Sequence, residues 1–181
     1  LRQKEPENPD FKKSLTRMIR SMSKAKTALG DYDGAFSDLY LAVDVSKELA
    51  QQFPKDFRVQ RSVWLTESII CEAYIDKAER QKVVDACTKI IDFPTKALAK
   101  EPENGVVAYD LAISHFNLSR AYRINNEPSM TLASAQKAIE VMTNLIKKDP
   151  ENAEYKRNLA VYQTEIGRSY MMLKQYERAI A

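Results

Sequence analysis

Glycine is nearly absent from this sequence, with four residues in 181. An all-β fold needs frequent turns, so the scarcity argues for long helices instead. Cysteine is equally rare: Cys71 and Cys87 stand alone, sixteen residues apart. Neither has a histidine or cysteine partner at ligand spacing, which excludes a zinc motif and a disulfide framework. There is one histidine, His115, and no glycine-rich phosphate loop. No apolar run approaches the roughly 18 residues of a membrane span, and no secretory signal opens the chain. These absences leave no expected metal or cofactor, and the expected location is cytoplasmic. What is present is a folded composition, 44% hydrophobic and 29% charged, with a formal net charge of +3. That balance is too mild to predict nucleic-acid binding without a clustered basic face.

The strongest positive signal is an internal repeat. Prolines stand at positions 6, 54, 102 and 150, a constant interval of 48. The following text recurs: Pro6-Glu7-Asn8, Pro54-Lys55-Asp56, Pro102-Glu103-Asn104, Pro150-Glu151-Asn152. Each triplet ends in Asn or Asp, whose side chains cap a helix N-terminus by accepting a backbone N–H. Pro9 then suits the first helical position, where its missing N–H costs nothing.

Further along each repeat the positions agree in size. Nine residues after the proline come Leu15, Val63, Leu111 and Leu159, and sixteen after come Met22, Ile70, Leu118 and Ile166. Small residues follow at Ser23, Cys71, Ser119 and Gly167, then at Ala25, Ala73, Ala121 and Ser169. Tyr74, Tyr122 and Tyr170, with Lys26 in the first copy, come next. Offsets 9, 16 and 20 share one helical face. A turn such as Gly30-Asp31-Tyr32-Asp33-Gly34 or Asn125-Asn126-Glu127-Pro128 separates this helix A from a helix B. Helix B is marked by Ala35, Val83, Thr131 and Ala179, then by Leu39, Cys87 and Ala135.

In the fourth copy, Ile166-Gly167-Arg168-Ser169-Tyr170 and then Tyr176-Glu177-Arg178-Ala179-Ile180 read large-small-x-small-Tyr, turn, Tyr-x-x-Ala-Ile. This pattern resembles the tetratricopeptide repeat. That family's usual period is about 34 residues, so the 48-residue unit is a lengthened variant. It is similar to arrays in multidomain bacterial signalling proteins, including Ser/Thr kinases and regulatory ATPases. The resemblance implies an all-α, right-handed superhelix of antiparallel helix hairpins. It covers one repeat domain over 1–181, with repeats at approximately 6–53, 54–101, 102–149 and a truncated 150–181. The chain starts at Leu1-Arg2-Gln3 without a Met and stops at Ala179-Ile180-Ala181 inside an amphipathic pattern. It therefore reads as part of a larger protein. Ile166, Tyr170 and Leu173 lie on a face that a longer helix B of repeat four would cover, so end-to-end self-association is expected.

Pro94 falls inside helix B of repeat two, where an interior proline removes a hydrogen bond and costs about 3 kcal/mol. A kink or break is expected near Asp92-Phe93. His115 has no second histidine, nucleophile or metal spacing beside it, so it reads as an ordinary helix histidine rather than a catalytic one. Cys71 and Cys87 fall at core positions of one hairpin and read as buried, reduced, inert thiols. Glu72, Asp76 and Glu165 show no paired spacing for acid–base chemistry. No catalytic constellation is present, and the chain is not expected to be an enzyme.

In the resembled family, helix A lines a concave groove that holds peptides. Transferring that register places Arg17, Arg20 and Lys24 in repeat one, Ile113, Phe116, Asn117, Arg120 and Arg123 in repeat three, and Arg168 in repeat four. Such a groove is basic at its rim with an apolar floor around Ile113 and Phe116. It favours an extended acidic protein segment with a hydrophobic anchor, bound by arginine forks. The carboxylate clamp of chaperone-binding members needs an Asn where this chain has Ile69, so that activity is not expected. The expected function is a protein–protein interaction scaffold or a partner-sensing module of a larger signalling protein. A nucleic-acid-binding repeat is one alternative, but Glu72, Asp76 and Glu165 interrupt any basic stripe and no nucleic-acid partner is expected. A structural spacer is the other.

Overall fold

The structure, a computed structural model, describes residues 8–180. Pro6 and Glu7 of the first repeat triplet, the Leu1-Arg2-Gln3 start and Ala181 lie outside them. The described residues form eight α-helices and no strand. The four A helices are α1 (Pro9–Ala28), α3 (Phe57–Asp76), α5 (Gly105–Ile124) and α7 (Ala153–Met172). The B helices are α2 (Tyr32–Gln52), α4 (Arg80–Lys100), α6 (Pro128–Lys148) and the short α8 (Tyr176–Ile180). The chain is thus an all-α helical repeat with a 48-residue period. Its contacts gather into two compact units, dividing between Lys77 and Ala78 at the turn inside repeat two. In the first, α1 packs on α2 and α3, and α2 on α3. In the second, each of α4 to α7 packs on the helix after it, and α5 also reaches α7.

The repeat triplet does two jobs. Its last residue is the N-cap of each A helix. Asn8 accepts from the N–H of Asp10, Asp56 from Arg58 and Val59, Asn104 from Val107, and Asn152 from Tyr155. Its proline sits second in a four-residue turn, closed by Asp56 N–H to Phe53 O at 3.1 Å, Asn104 to Glu101 at 3.1 Å and Asn152 to Asp149 at 3.3 Å. The fixed φ of proline pre-sets that position.

The A-to-B turns share a backbone feature that the sequence marks only in part. Twenty-four residues after each repeat proline position, the backbone enters the left-handed region: Gly30 at φ 81°, Ala78 at 53°, Asn126 at 61° and Lys174 at 58°. In three copies the next N–H reaches back to the helix: Asp31 to Lys26 O, Glu127 to Tyr122 O, and Gln175 to Tyr170 O. This is the Schellman closure of a helix C-terminus.

Most B-helix positions read from the sequence are core, together with their neighbours one turn on, while Ala179 is half-buried. Ala35, Leu39 and Ala42 are fully buried on α2, as are Val83, Cys87 and Ile90 on α4 and Thr131, Ala135 and Ala138 on α6. In the second unit Met142, Leu145, Tyr162 and Ala112 join Ala138 in one apolar cluster. The A-helix face is less uniform: Ile70 and Leu118 are buried, but Met22 is 47% exposed on α1.

Two expectations need correction. Pro94 does not break its helix, because α4 continues through it to Lys100. Proline removes the N–H that would serve the Ile90 carbonyl. The hydroxyl of Ser114 on α5 stands 3.0 Å from that oxygen and 2.8 Å from its own Asp110 carbonyl. The one hydroxyl proton, shared between the two oxygens, thus gives the Ile90 carbonyl a partner from the neighbouring helix. Cys71 and Cys87 are fully buried, as their register requires, but neither is a reduced thiol: both are disulfide-bonded.

Candidate functional site

The predicted groove residues divide between the two units, and their electrostatic surroundings differ. In the first unit, α1 carries Lys13, Arg17 and Arg20 at i, i+4 and i+7, one stripe of a helix. Packing α1 against α3 brings this stripe alongside Arg58 and Arg61 of α3. Together they line a cavity of about 470 Å³ whose floor is Leu49, Val59 and Leu65. Among the described residues Asp10 is the one carboxylate in its wall, 3.7 Å from the Lys13 ammonium, which also lies 4.0 Å from Asp56.

Arg20 is half-buried, and its Nη1 donates to the carbonyl and the hydroxyl of Ser62, both at 3.2 Å. Both partners are neutral. Burial, and then the charges of Arg17 and Arg61, hold the Arg20 guanidinium below its ordinary pKa. Arg17 is exposed and, among the described residues, has no carboxylate within 4.0 Å. Arg61 lies over the buried Trp64 ring, 5.7 Å from its centroid. Lys24, one turn beyond Arg20, is spoken for at long range by Glu72 of α3, 3.9 Å away.

In the second unit the arginines are neutralised. Glu165 of α7 is 1% exposed and accepts from Arg123 Nε of α5 at 2.6 Å and from Arg168 Nη1 at 3.3 Å. Phe116 of α5 stacks on Tyr162 of α7 with ring centroids 4.4 Å apart. The Arg120 guanidinium lies 6.0 Å from the Phe116 centroid. Ile113 is half-buried on the same helix. Asn117 is 3% exposed, and its Nδ2 has no hydrogen-bond partner. The structure therefore brings Phe116 and Arg120 together, and Arg123 and Arg168 around one carboxylate, while it takes Asn117 into the interior.

The contrast follows from one register position. Fifteen residues after the repeat proline stand Ser21, Ile69, Asn117 and Glu165. On α7 that position supplies a carboxylate to the arginines beside it. On α3 it is the buried Ile69, which supplies none. Sequence reasoning missed Lys13, Arg58 and Arg61 as members of the first cluster, and Glu165 as the neutralising partner in the second. The signal was available: Arg58 and Arg61 lie in the opening turns of α3, three residues apart on one helical stripe.

Other titratable groups are displaced from neutral chemistry. Burial first, and then the Lys137 charge, push His115 down to about 4, and its Nδ1 is unpartnered. Tyr109 is pushed up to about 12 by burial and then by its bond to Glu154. Burial also raises Tyr162.

No protein-family model matches the chain, and no curated protein matches it.

Proposed function

We propose that the chain is a non-enzymatic protein-interaction module of the tetratricopeptide type, serving within a larger signalling protein. Its A-helix face on α1 and α3 takes an acidic peptide segment. The observation that carries this reading is the set of five cations around the first-unit cavity with a single carboxylate in its wall. Cations gathered on one face of a fold repel one another, and a bound anion relieves that repulsion. The apolar floor of Leu49, Val59 and Leu65 gives such a segment a place for a hydrophobic anchor beside its charge. His115 has a displaced pKa and no orienting carboxylate hydrogen-bonded to it, which favours binding over catalysis. Disulfide-bonded cysteines persist in oxidising compartments. The state of Cys71 and Cys87 therefore favours such a compartment over the cytoplasm.

The test is fluorescence anisotropy with a labelled peptide of alternating Glu and Leu against one of alternating Lys and Leu. Binding of the acidic peptide alone is expected, weakening as salt screens beyond about 8–10 Å. Arg17→Glu should weaken it, and Arg168→Glu should leave it nearly unchanged. Equal binding of the two peptides, or none of either, would favour a structural spacer.

A further inference from the structure

The four A helices repeat one face, and on three of them a neighbouring helix covers it. Positions five, twelve, sixteen and nineteen residues after the repeat proline fall on a single helical stripe. Position twelve identifies the cover. On α3, Thr66 meets Ser46 of α2, their hydroxyl oxygens 3.5 Å apart. On α5, Ser114 Oγ lies 3.0 Å from the Ile90 carbonyl oxygen of α4. On α7, Tyr162 packs with Ala138, Met142 and Leu145 of α6. Each time the cover is the preceding B helix. Its direction is antiparallel: Gln60 near the start of α3 donates to the Ala50 carbonyl near the end of α2, while Tyr74 near the end of α3 packs on Phe36 near the start of α2. At the other three positions Val59, Ile70 and Ala73 are buried on α3, and Val107, Leu118 and Ala121 on α5. On α7, Ser169 is buried while Tyr155 and Ile166 are half-buried.

On α1 the same stripe is Phe11, Met18, Met22 and Ala25, and all four are exposed, the first three by 44%, 54% and 47%. Ser14 and Ser21 lie beside them, so no charge interrupts the face. Large apolar side chains exposed together on one helical face mark an interaction surface, and unbranched methionine adapts its shape to a partner. The cations Arg17, Arg20 and Lys24 lie about a third of a turn round α1, and none of the stripe residues lines the first-unit cavity. We infer that this stripe docks an amphipathic protein helix of the B type, antiparallel to α1. The partner presents small or apolar side chains at i, i+4 and i+7, as α2 does with Ala42, Ser46 and Leu49 and α6 with Ala138, Met142 and Leu145. The interface continues one that the chain already builds three times, which is what makes the partner a helix. It does not depend on the acidic-peptide reading.

The experiment mixes the whole chain with a synthetic peptide of the α6 sequence, residues 128–148, and follows the methionine methyl signals by NMR. Met18 and Met22 should shift saturably, while Met142 and Met171 stay in place. A peptide carrying Ala138→Glu and Met142→Glu should bind about tenfold more weakly, because it would bury charge against the stripe. Met18→Lys in the chain should weaken the native peptide similarly and leave the melting temperature nearly unchanged, since the site is exposed. A free peptide of this length is a marginal helix in water. A second variant therefore carries the helix in cis, with residues 128–149 joined ahead of Pro6 in the register of the repeat text, which raises its effective concentration. Docking should slow hydrogen peroxide oxidation of Met18 and Met22 about tenfold, read by peptide mass spectrometry, with Met171 oxidised at its native rate.

The fused chain decides where the two measurements disagree. Native oxidation rates of Met18 and Met22 in it would overturn the proposal. So would equal protection by a fused helix carrying Ala138→Glu and Met142→Glu, because the cover would then not be made through the apolar face. Sedimentation velocity of the native chain and of Met18→Lys separates a partner helix from a second copy. Self-association that Met18→Lys abolishes would assign the stripe to another copy of this chain and overturn the partner-helix assignment. A monomer at every concentration, or association that survives Met18→Lys, supports the partner helix.

Discussion

At the scale of single residues, the same side-chain type has opposite fates in the two units. Arg123 is one third exposed and Arg168 more than half exposed, while the carboxylate they share is enclosed. Removing a partner of a buried charge costs most when the charge left behind cannot reach water. Arg123→Met should therefore destabilise the chain by about 2–3 kcal/mol, and Glu165→Met by about 1 kcal/mol, since the freed arginines can turn outward. Denaturant midpoints of the two variants check the order, and a reversed order would mean that Glu165 is solvated. His115 gives a second test. Its folded pKa, about 4, lies below the ordinary 6.5. As pH falls through 6.5 the unfolded chain takes up the proton first, so stability is lost between about pH 6.5 and 4 and is constant above. Thermal melting across that window should fall less steeply for His115→Gln than for the native chain.

Helices and turns carry the repeat, and here part of the design was legible and part was not. The caps at Asn8, Asp56, Asn104 and Asn152 were readable because side-chain capping is a local property of a few residues. The left-handed turn residue was readable at Gly30 and Asn126 and invisible at Ala78 and Lys174. There, tertiary context holds an alanine and a lysine where glycine is preferred. Ala78→Gly should accordingly stabilise by about 0.5–1 kcal/mol, offset in part by the greater freedom of glycine when unfolded. Calorimetric melting would show it as a higher Tm. The break expected at Pro94 is absent for the opposite reason. Local rules forbid it, but Ser114 on the next helix answers the Ile90 carbonyl. Ser114→Ala should cost about 1 kcal/mol, because the Ile90 carbonyl loses this contact. In a Pro94→Ala background the backbone N–H returns, and the same change should cost about 1 kcal/mol less. Additive costs would show that the two groups act independently.

For the molecule as a whole, the period of 48 and the all-α class follow from hydrophobic spacing, which is a property of every repeat at once. The candidate site was only half legible. Arg17 and Arg20 could be placed on a shared stripe, but most of the residues that decide their charge balance come from a different helix. Lys13, Arg58 and Arg61 add to the field of that cavity, while Glu165 cancels the field on α5 and α7. Two clusters of similar composition thus differ in the carboxylate that lies between their arginines. The most direct measurement of this account is a backbone NMR perturbation map of the whole chain with the acidic Glu–Leu peptide at saturation. The account predicts shifts concentrated in residues 13–20 and 58–65, with 153–172 nearly silent. Shifts centred on 153–172, or spread over the B helices, would contradict it.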